Sequence, residues 1–215
     1  MPNHVTNKVH APAHVLKSLI NEGGKIDFNT IFPFAGQFPW DGISGQAETA
    51  AQAITAQPFN NHPLIAGLER RNRAEANVMQ LGDECFEQFI QMLRNKRACG
   101  HFHTLDFARD VWGTKWNAYD QLIDIEAGLL SFDTAWSCPL PVLKKLSTLH
   151  PDDEISAEYA DEDIGCNCGT VKLKAGEVIF SDIAGRWDEM SEQDQQKWQA
   201  FARDLKGWPE DDEDE

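Results

Sequence analysis

Segments of two-residue alternation stand at both ends of a long helical stretch, and this order constrains the fold more than any other sequence feature. Two kinds of side chain alternate along residues 5–10, 130–136, 155–160 and 170–175. A period of two is typical of strands that bury one face. Apolar residues at helical spacing follow the first two of these segments, at residues 15–20 and 140–149. The sequence therefore predicts a chain with strands and helices at both ends.

The stretch between these segments has a different character. Residues 48–56 are rich in alanine, and residues 63–80 carry apolar side chains at helical spacing. A third helix is predicted around Phe86 and Phe89, and Gly100 is expected to end it because glycine adopts the left-handed conformation at helix C-termini. We therefore expect a helical insertion here.

The predicted order is strand, helix, insertion, strand, helix, two strands and a terminal helix. Two strand–helix units that feed one antiparallel sheet are typical of a ferredoxin-like sandwich. The predicted fold class is α+β: a ferredoxin-like antiparallel sheet with helices packed on one face, interrupted by a helical insertion and followed by a C-terminal helix. The expected divisions are residues 1–40 with 105–185 for the sheet, 41–104 for the insertion, 186–208 for the C-terminal helix and 209–215 for a disordered acidic tail.

The acidity of the chain is local. The sequence has 35 acidic and 19 basic residues, for a net charge of −16. Six acids and no base lie between residues 210 and 215, and seven acids and no base lie between residues 151 and 163. Without these thirteen acids, 22 acids balance 19 bases. The second segment supplies the candidate binding residues, which are Asp152, Asp153, Glu154, Glu158, Asp161, Glu162 and Asp163.

These acidic segments restrict the class of partner. Binding of nucleic-acid phosphates or of anionic lipids depends on Lys and Arg, so we expect neither a nucleic acid nor a membrane as the direct partner. An acidic surface attracts a basic protein, and acids could also mimic the phosphates of DNA. The alternative is that the acids only keep the protein soluble. If the third and fourth strands are antiparallel neighbours, acids that face outward on the third are expected to pair with Lys172 and Lys174.

The compartment is predicted from the apolar runs of the chain, from its first residues and from its cysteines. No apolar run approaches the roughly 20 residues of a membrane helix, and the first residues lack the basic and then apolar order of a secretory signal. The five cysteines are odd in number and are not spaced as a disulfide framework. The sequence therefore predicts a cytoplasmic protein with reduced thiols.

Tryptophans mark two short motifs. In the motif at residues 112–117, a turn at Gly113 is expected to fold two indoles onto the sheet, where backbone carbonyls accept from the buried N–H groups. Trp136 ends an alternating strand and is expected to lie in the core. The segment Cys166-Asn167-Cys168-Gly169 is interpreted as a tight hairpin turn, because Asn and Gly tolerate unusual dihedral angles.

Three segments resemble a known family. They are Met1-Pro2-Asn3-His4-Val5-Thr6-Asn7, Trp112-Gly113-Thr114-Lys115-Trp116-Asn117-Ala118-Tyr119-Asp120 and Phe132-Asp133-Thr134-Ala135-Trp136-Ser137-Cys138-Pro139-Leu140-Pro141. They are similar to segments of the phage-, plasmid- and integrative-element-encoded proteins typified by YubB. The resemblance covers the first strand and roughly residues 105–185. It implies a ferredoxin-like fold and an accessory gene on mobile DNA, with no settled molecular function.

Soft metal ligands cluster at Cys99, His101 and His103, and again at Cys166 and Cys168. Structural zinc sites usually space their ligands by two or more residues, whereas a spacing of one places neighbouring side chains on opposite faces of an extended chain. The sequence also lacks the serine elbow, the phosphate-binding glycine loop and the dinucleotide fingerprint. We therefore predict no cofactor.

Two functional hypotheses remain. The first is a non-enzymatic accessory protein that acts by protein–protein interaction through the acidic patch or the helical insertion. The alternative is a small metal-dependent enzyme or metal-binding module that uses the region of Cys99, His101 and His103. The absence of catalytic motifs favours the first hypothesis.

Overall fold

A computed structural model describes residues 3–55 and 63–208. In this part of the chain, the strands are β1 His4–His10, β2 Tyr119–Asp124, β3 Leu129–Ala135, β4 Ile155–Asp161, β5 Gly169–Lys174 and β6 Glu177–Ile183. The helices are α1 Ala13–Lys17, α2 Gly45–Thr55, α3 Pro63–Glu75, α4 Asp83–Cys99, α5 Thr104–Phe107, α6 Leu140–Leu149 and α7 Glu192–Lys206. Short 3₁₀ turns lie at Phe28–Thr30, Val78–Gln80 and Trp187–Glu189, and a π turn lies at Ala108–Trp112.

The six strands form one antiparallel sheet in the order β2-β3-β1-β4-β5-β6. The elements β1, α1, β2, β3, α6 and β4 follow one another along the chain in the βαββαβ order of a ferredoxin-like domain. The hairpin of β5 and β6 extends this sheet beyond β4. The predicted α+β ferredoxin-like fold class is therefore confirmed.

One face of the sheet carries the main core. Val5 and Val9 of β1 lie opposite Thr134 and Leu130 of β3, and all four are fully buried. The ring of Phe28 packs edge-on against Phe132 on the same face, with ring centroids 5.8 Å apart. Helix α6 packs against β5, and its residues Val142, Leu143 and Leu146 are fully buried. The two-residue alternation thus marks the strands because one face is removed from water.

Helix α7 packs on the opposite face. Ala160 follows Tyr159 in β4, so its side chain points away from the main core. It is buried in a cluster with Trp198, Ala202 and Leu205 of α7. Lys206 Nζ also donates to Thr6 Oγ1, the cross-strand neighbour of Ala160, at 3.1 Å. The predicted C-terminal helix is present, and it begins where Ser191 Oγ accepts from the Asp194 amide.

The chain divides into two compact units. The first unit comprises residues Met1–Pro33 and Ala108–Glu215, and the second comprises Phe34–Phe107. The helical insertion was expected to span residues 41–104. The second unit consists of α2 to α5. Small residues of α2 allow close packing against α4, and the buried cluster there comprises Ala47, Ala50, Ala51, Phe89, Met92 and Phe102.

Strand β2 has no counterpart in the sequence analysis. Its side chains alternate between half-buried and exposed, and acids occupy Asp120 and Asp124. Such a pattern gives little apolar signal, because this edge strand buries no residue fully. Before the second unit begins, Ile26 forms an isolated bridge with Ile20, and the 3₁₀ turn Phe28–Thr30 follows.

The prediction that Trp136 lies in the core is wrong. Strand β3 ends at Ala135, and Trp136 adopts a positive φ of 74° that turns its side chain out of the alternation. The indole is 45% exposed and lies beneath two cations, with Arg109 Cζ 5.2 Å and Lys115 Nζ 4.8 Å from the ring centroid. Trp116 is also partly exposed, whereas Trp112 is buried and donates from Nε1 to the Phe32 carbonyl at 3.0 Å.

The segment at Cys166 to Gly169 ends a seven-residue loop between β4 and β5 and is not a tight turn. Asn167 has a positive φ of 43°, as the interpretation of this segment requires. The predicted acidic tail, residues 209–215, lies outside the described residues. Within the described ranges, no helix combines the length and the apolar character that crossing a membrane requires.

Candidate functional site at the β6 edge

Strand β6 ends the sheet and is exposed along its whole length. All seven of its residues are exposed to solvent. Four of them are large and apolar: Val178, Ile179, Phe180 and Ile183, with exposed fractions of 37%, 53%, 48% and 51%. Among the strands of the described residues, β6 has β5 as its one neighbour. An exposed apolar edge of this kind is a template for pairing with another strand.

The backbone of β6 offers hydrogen bonds on its outer side. Ala184 donates to the Cys168 carbonyl at 2.9 Å, so the Ala184–Cys168 pair is hydrogen-bonded. Along two antiparallel strands, hydrogen-bonded residue pairs alternate with pairs whose N–H and C=O groups point away from the partner strand. Ser181 and Ile183, opposite Val171 and Gly169, therefore direct their N–H and C=O groups away from β5. An added strand would find both donors and acceptors there.

An apolar groove of about 210 Å³ lies beside this edge, on the face that carries the main core. Its lining comes from β6, from the other strands of the same face and from the start of α6. The residues are Ser137, Cys138, Leu140, Tyr159, Asn167, Val171, Val178, Ser181 and Ile183. Burial raises the pKa of Tyr159 to about 12, with a smaller contribution from the nearby Cys138. The Tyr159 phenol is therefore neutral at physiological pH and can donate a hydrogen bond.

Three of the predicted acidic residues lie at the end of β4 next to this groove. Asp161 is buried and accepts from Asn3 and from Asn167, whose amide lines the groove, at 3.0 and 2.8 Å. It thus holds the loop in place, and its carboxylate is not available on the surface. Glu162 and Asp163 are exposed and give this end of the groove a negative charge.

The other predicted acids lie away from this end. Asp152, Asp153 and Glu154 precede β4, which is seven residues or about 20 Å long, and Glu158 is half-buried within it. Three of the seven acids therefore lie before β4, three lie at its end or just after it, and Glu158 lies between these groups. Lys172 pairs with Glu154 at 3.1 Å. This acid precedes β4, whereas the expected partners were the outward-facing acids of the strand itself; Glu158 of β4 lies opposite Thr170.

The opposite edge of the sheet is protected. Strand β2 has an irregular register between Tyr119 and Leu122, and Asp120 there has a positive φ of 48°. Bulges and charged side chains are devices that prevent pairing at a sheet edge. Because β2 carries these devices, β6 is the better candidate for strand addition.

The predicted soft ligands are engaged in local bonds. Cys99 Sγ donates to the Asn95 carbonyl at 3.2 Å, and His101 Nδ1 lies 3.0 Å from the Cys99 carbonyl oxygen. The buried His103 accepts at Nδ1 from the Asp106 amide, and its Nε2 lies 3.5 Å from Glu48 Oε1. Within the described part of the chain, the one group of three metal-ligating side chains that converges is His14, His150 and Asp153.

The thiols of the first unit are poor nucleophiles. Burial raises the pKa of Cys138 and of Cys168 to about 12, and burial followed by the charge of Asp163 raises that of Cys166. A cysteine reacts as its thiolate, so the buried Cys138 and Cys168 are weak nucleophiles at neutral pH.

The sequence analysis missed both β6 and the histidine group as sites. Three consecutive apolar residues at 178–180 break the two-residue alternation, and such a run is also typical of a fully buried strand, so it does not reveal an exposed edge. His150 and Asp153 are three residues apart at the end of a helix, a spacing compatible with shared ligation. His14 lies 136 positions earlier, and sequence spacing carries no information about that approach.

Comparison with a family model supports the ferredoxin-like fold. Residues 112–201 match the family model described as the ferredoxin-like domain in Api92-like protein. The chain is also similar to the crystal structure of protein api92 from Yersinia pseudotuberculosis, with 9% identity and a TM-score of 0.35 over 86% of this chain and 99% of that chain. No curated protein matches the chain.

Proposed function

We propose that this protein is a non-enzymatic accessory protein that binds another protein by accepting an extended segment of it as a seventh strand beside β6. The observation that carries the proposal is the complete exposure of β6, with its four large apolar side chains. Strand addition derives affinity from main-chain hydrogen bonds and specificity from pockets for alternate side chains. Here the outward N–H and C=O groups of Ser181 and Ile183 would form the main-chain hydrogen bonds. The groove would hold the partner's alternate side chains and so provide specificity.

The expected partner segment alternates apolar with polar residues and carries basic residues at one end. Apolar side chains facing the groove would contact Val178 and Ile183. Basic side chains would lie near Glu162 and Asp163, which follow Asp161 in the chain. Asp161 itself accepts a hydrogen bond from Asn167, which lines the groove. Opposite charges across an interface speed encounter and select the register.

A second copy of this chain fits the edge less well. An antiparallel pair of β6 strands centred on Phe180 would place Glu177 opposite Ile183 and Asp182 opposite Val178, with no opposite charge for either acid. Asp182 is already paired within the chain to Lys197 at 2.9 Å. Each copy also carries a net charge of −16, so two copies repel one another.

We further propose that this binding serves an accessory role for a phage or mobile element in the cytoplasm. The resemblance of residues 112–120 and 132–141 to the YubB-typified family supports an accessory role for a phage or mobile element. The five cysteines, all free thiols, suit a reducing compartment.

The proposal is tested by partner capture from the native host with the full-length protein, at low and at moderate salt. Ser181→Pro removes an outward N–H without removing a bond to β5, and Ile183→Lys places a charge at the groove. Both variants should reduce capture at least about tenfold, the factor that about 1.4 kcal/mol provides. Amide exchange of Ser181 and Ile183 should slow when the purified partner is added.

Leu122→Lys is the matched control, because Leu122 is a similarly exposed apolar residue on the opposite edge strand. It should retain full capture. Equal capture by wild type and both β6 variants would overturn the proposal. Dimerisation of wild type that Ile183→Lys abolishes would show that a second copy, not a basic partner, occupies the edge.

A further inference from the structure

His14, His150 and Asp153 bring together three groups that can ligate a metal. Their ligand atoms all lie within 4.8 Å of one another. His14 Nε2 is 2.8 Å from Asp153 Oδ2, and the two imidazole rings meet edge-to-face with centroids 5.4 Å apart. Two ligand atoms at about 2.1 Å from a shared ion lie at most about 4.2 Å apart. Small side-chain rotations therefore suffice to bring all three onto one ion.

The fold holds these groups from two directions. His14 lies on α1, which follows the central strand β1, whereas His150 caps the C-terminus of α6. The Asp153 amide donates to the His150 carbonyl at 3.2 Å, so a backbone turn sets the approach of these two ligands. The Asp153 side chain is 25% exposed and that of His14 is 62% exposed. Asp153 is therefore the less exposed of these two side chains, and His14 lies on the solvent side of the group.

Ser18 positions the second histidine. Its Oγ donates to the His14 carbonyl at 3.4 Å and lies 2.9 Å from His150 Nε2. The Nε2–H tautomer of His150 satisfies both contacts, because the hydroxyl then donates its single hydrogen to the His14 carbonyl and accepts from His150. This tautomer leaves the lone pair of His150 on Nδ1, where a metal can bind. Outer hydrogen bonds of this kind are typical of metal-ligating histidines, since they fix both tautomer and ring orientation.

We propose that these residues bind one zinc ion through His14, His150 and Asp153, with Ser18 as the positioning residue. Two imidazoles and one carboxylate suit zinc and other borderline divalent metals, whereas Mg²⁺ and Ca²⁺ prefer oxygen ligands alone. Three protein ligands leave a fourth position for water or for a ligand atom of another molecule, as in open zinc sites. The ion would also connect α1 to the end of α6 on the core face of the sheet.

Zinc titration by calorimetry, on reduced and chelator-treated full-length protein, tests the proposal. Wild type should bind one equivalent, and magnesium should give no signal. His14→Ala and Asp153→Asn each remove a direct ligand and should weaken binding by more than the 10- to 100-fold that loss of an outer partner costs. Ser18→Ala should fall within that 10- to 100-fold range. Cobalt substitution should give visible absorption that His14→Ala abolishes.

His10→Ala is the matched control, because His10 is an exposed histidine on β1 outside the group. It should bind zinc as wild type does. Because His14 is exposed on a short helix, its replacement leaves the core intact, and an unchanged urea unfolding curve would verify this. Undiminished zinc binding by His14→Ala would overturn the proposal and assign the ion to the thiols. Absence of zinc binding to wild type would equally overturn it.

Discussion

Asn167 donates from Nδ2 to the carbonyl oxygen of Trp136 at 2.9 Å, and both residues have a positive φ, of 43° and 74°. The same Nδ2 lies 2.8 Å from Asp161 Oδ2. One amide thus joins the end of β3 to the acidic loop that follows β4. Asn167 is also part of the groove lining, so this bond lies at the acidic end of the groove beside β6.

Asn167→Ala is expected to destabilise the protein by about 2 kcal/mol, because it loses a charge-assisted hydrogen bond and places a Cβ-bearing residue without a polar side chain in the left-handed region. Asn167→Gly should cost less, since glycine accepts that conformation without strain. Urea unfolding of the two variants measures the difference. Equal losses would show that backbone strain makes no contribution at this position.

Gly113→Ala is expected to destabilise the sheet unit by at least about 2 kcal/mol. Gly113 has a φ of 74°, and an added Cβ would lie 2.9 Å from Pro141 Cδ at the start of α6. The left-handed conformation alone costs an alanine about 1–2 kcal/mol. Gly67→Ala serves as the control, because Gly67 lies in α3 with open space around it and should gain up to about 1 kcal/mol. Thermal unfolding monitored by circular dichroism measures both changes.

Acid is expected to weaken the protein through Asp27. Burial raises the pKa of Asp27, but hydrogen bonds from Asn117, Asn29 and Asn21 outweigh burial and hold it below its usual value. A depressed folded pKa contributes stability above the unfolded value of about 3.9, and this contribution is lost as the pH falls through the folded pKa. Asp27→Asn should therefore flatten the loss of stability below about pH 4, relative to wild type.

Urea midpoints at pH 5 and pH 3 measure this effect. Asp152→Asn is the matched control, because Asp152 is an exposed acid in a turn, and it should follow the wild-type pH dependence. A pH dependence of Asp27→Asn as steep as that of wild type would contradict the assignment.

Alkylation should distinguish the buried thiols from the rest. Because burial raises the pKa of Cys138 and Cys168 to about 12, their thiolate fraction at pH 8 is roughly a thousandfold below that of an ordinary cysteine. Iodoacetamide followed by mass spectrometry should label both slowly in the native protein and rapidly in urea. Fast native labelling of Cys138 would show that the groove opens readily to solvent, because Cys138 contributes to its lining.

The sequence by itself determined much of the ferredoxin-like framework. The alternation in β1, β3, β4 and β5 was legible because each strand buries one face and exposes the other. The bounds of α6 followed from its apolar spacing, and the C-terminal helix was predicted within residues 186–208, where α7 lies. These signals are local, because each depends only on residues that lie close together in the sequence.

The tertiary structure alone decided the features on which function depends. It separated the acids before β4 from those at the other end of this strand, which is about 20 Å long. It turned Trp136 out of the core through one backbone dihedral angle, and it placed β6 at the edge of the sheet that the described residues form. It also brought His14 to His150, although 135 residues separate them in the chain. Such relationships depend on which strands become neighbours, and the periodicity of a single segment carries no information about its neighbours.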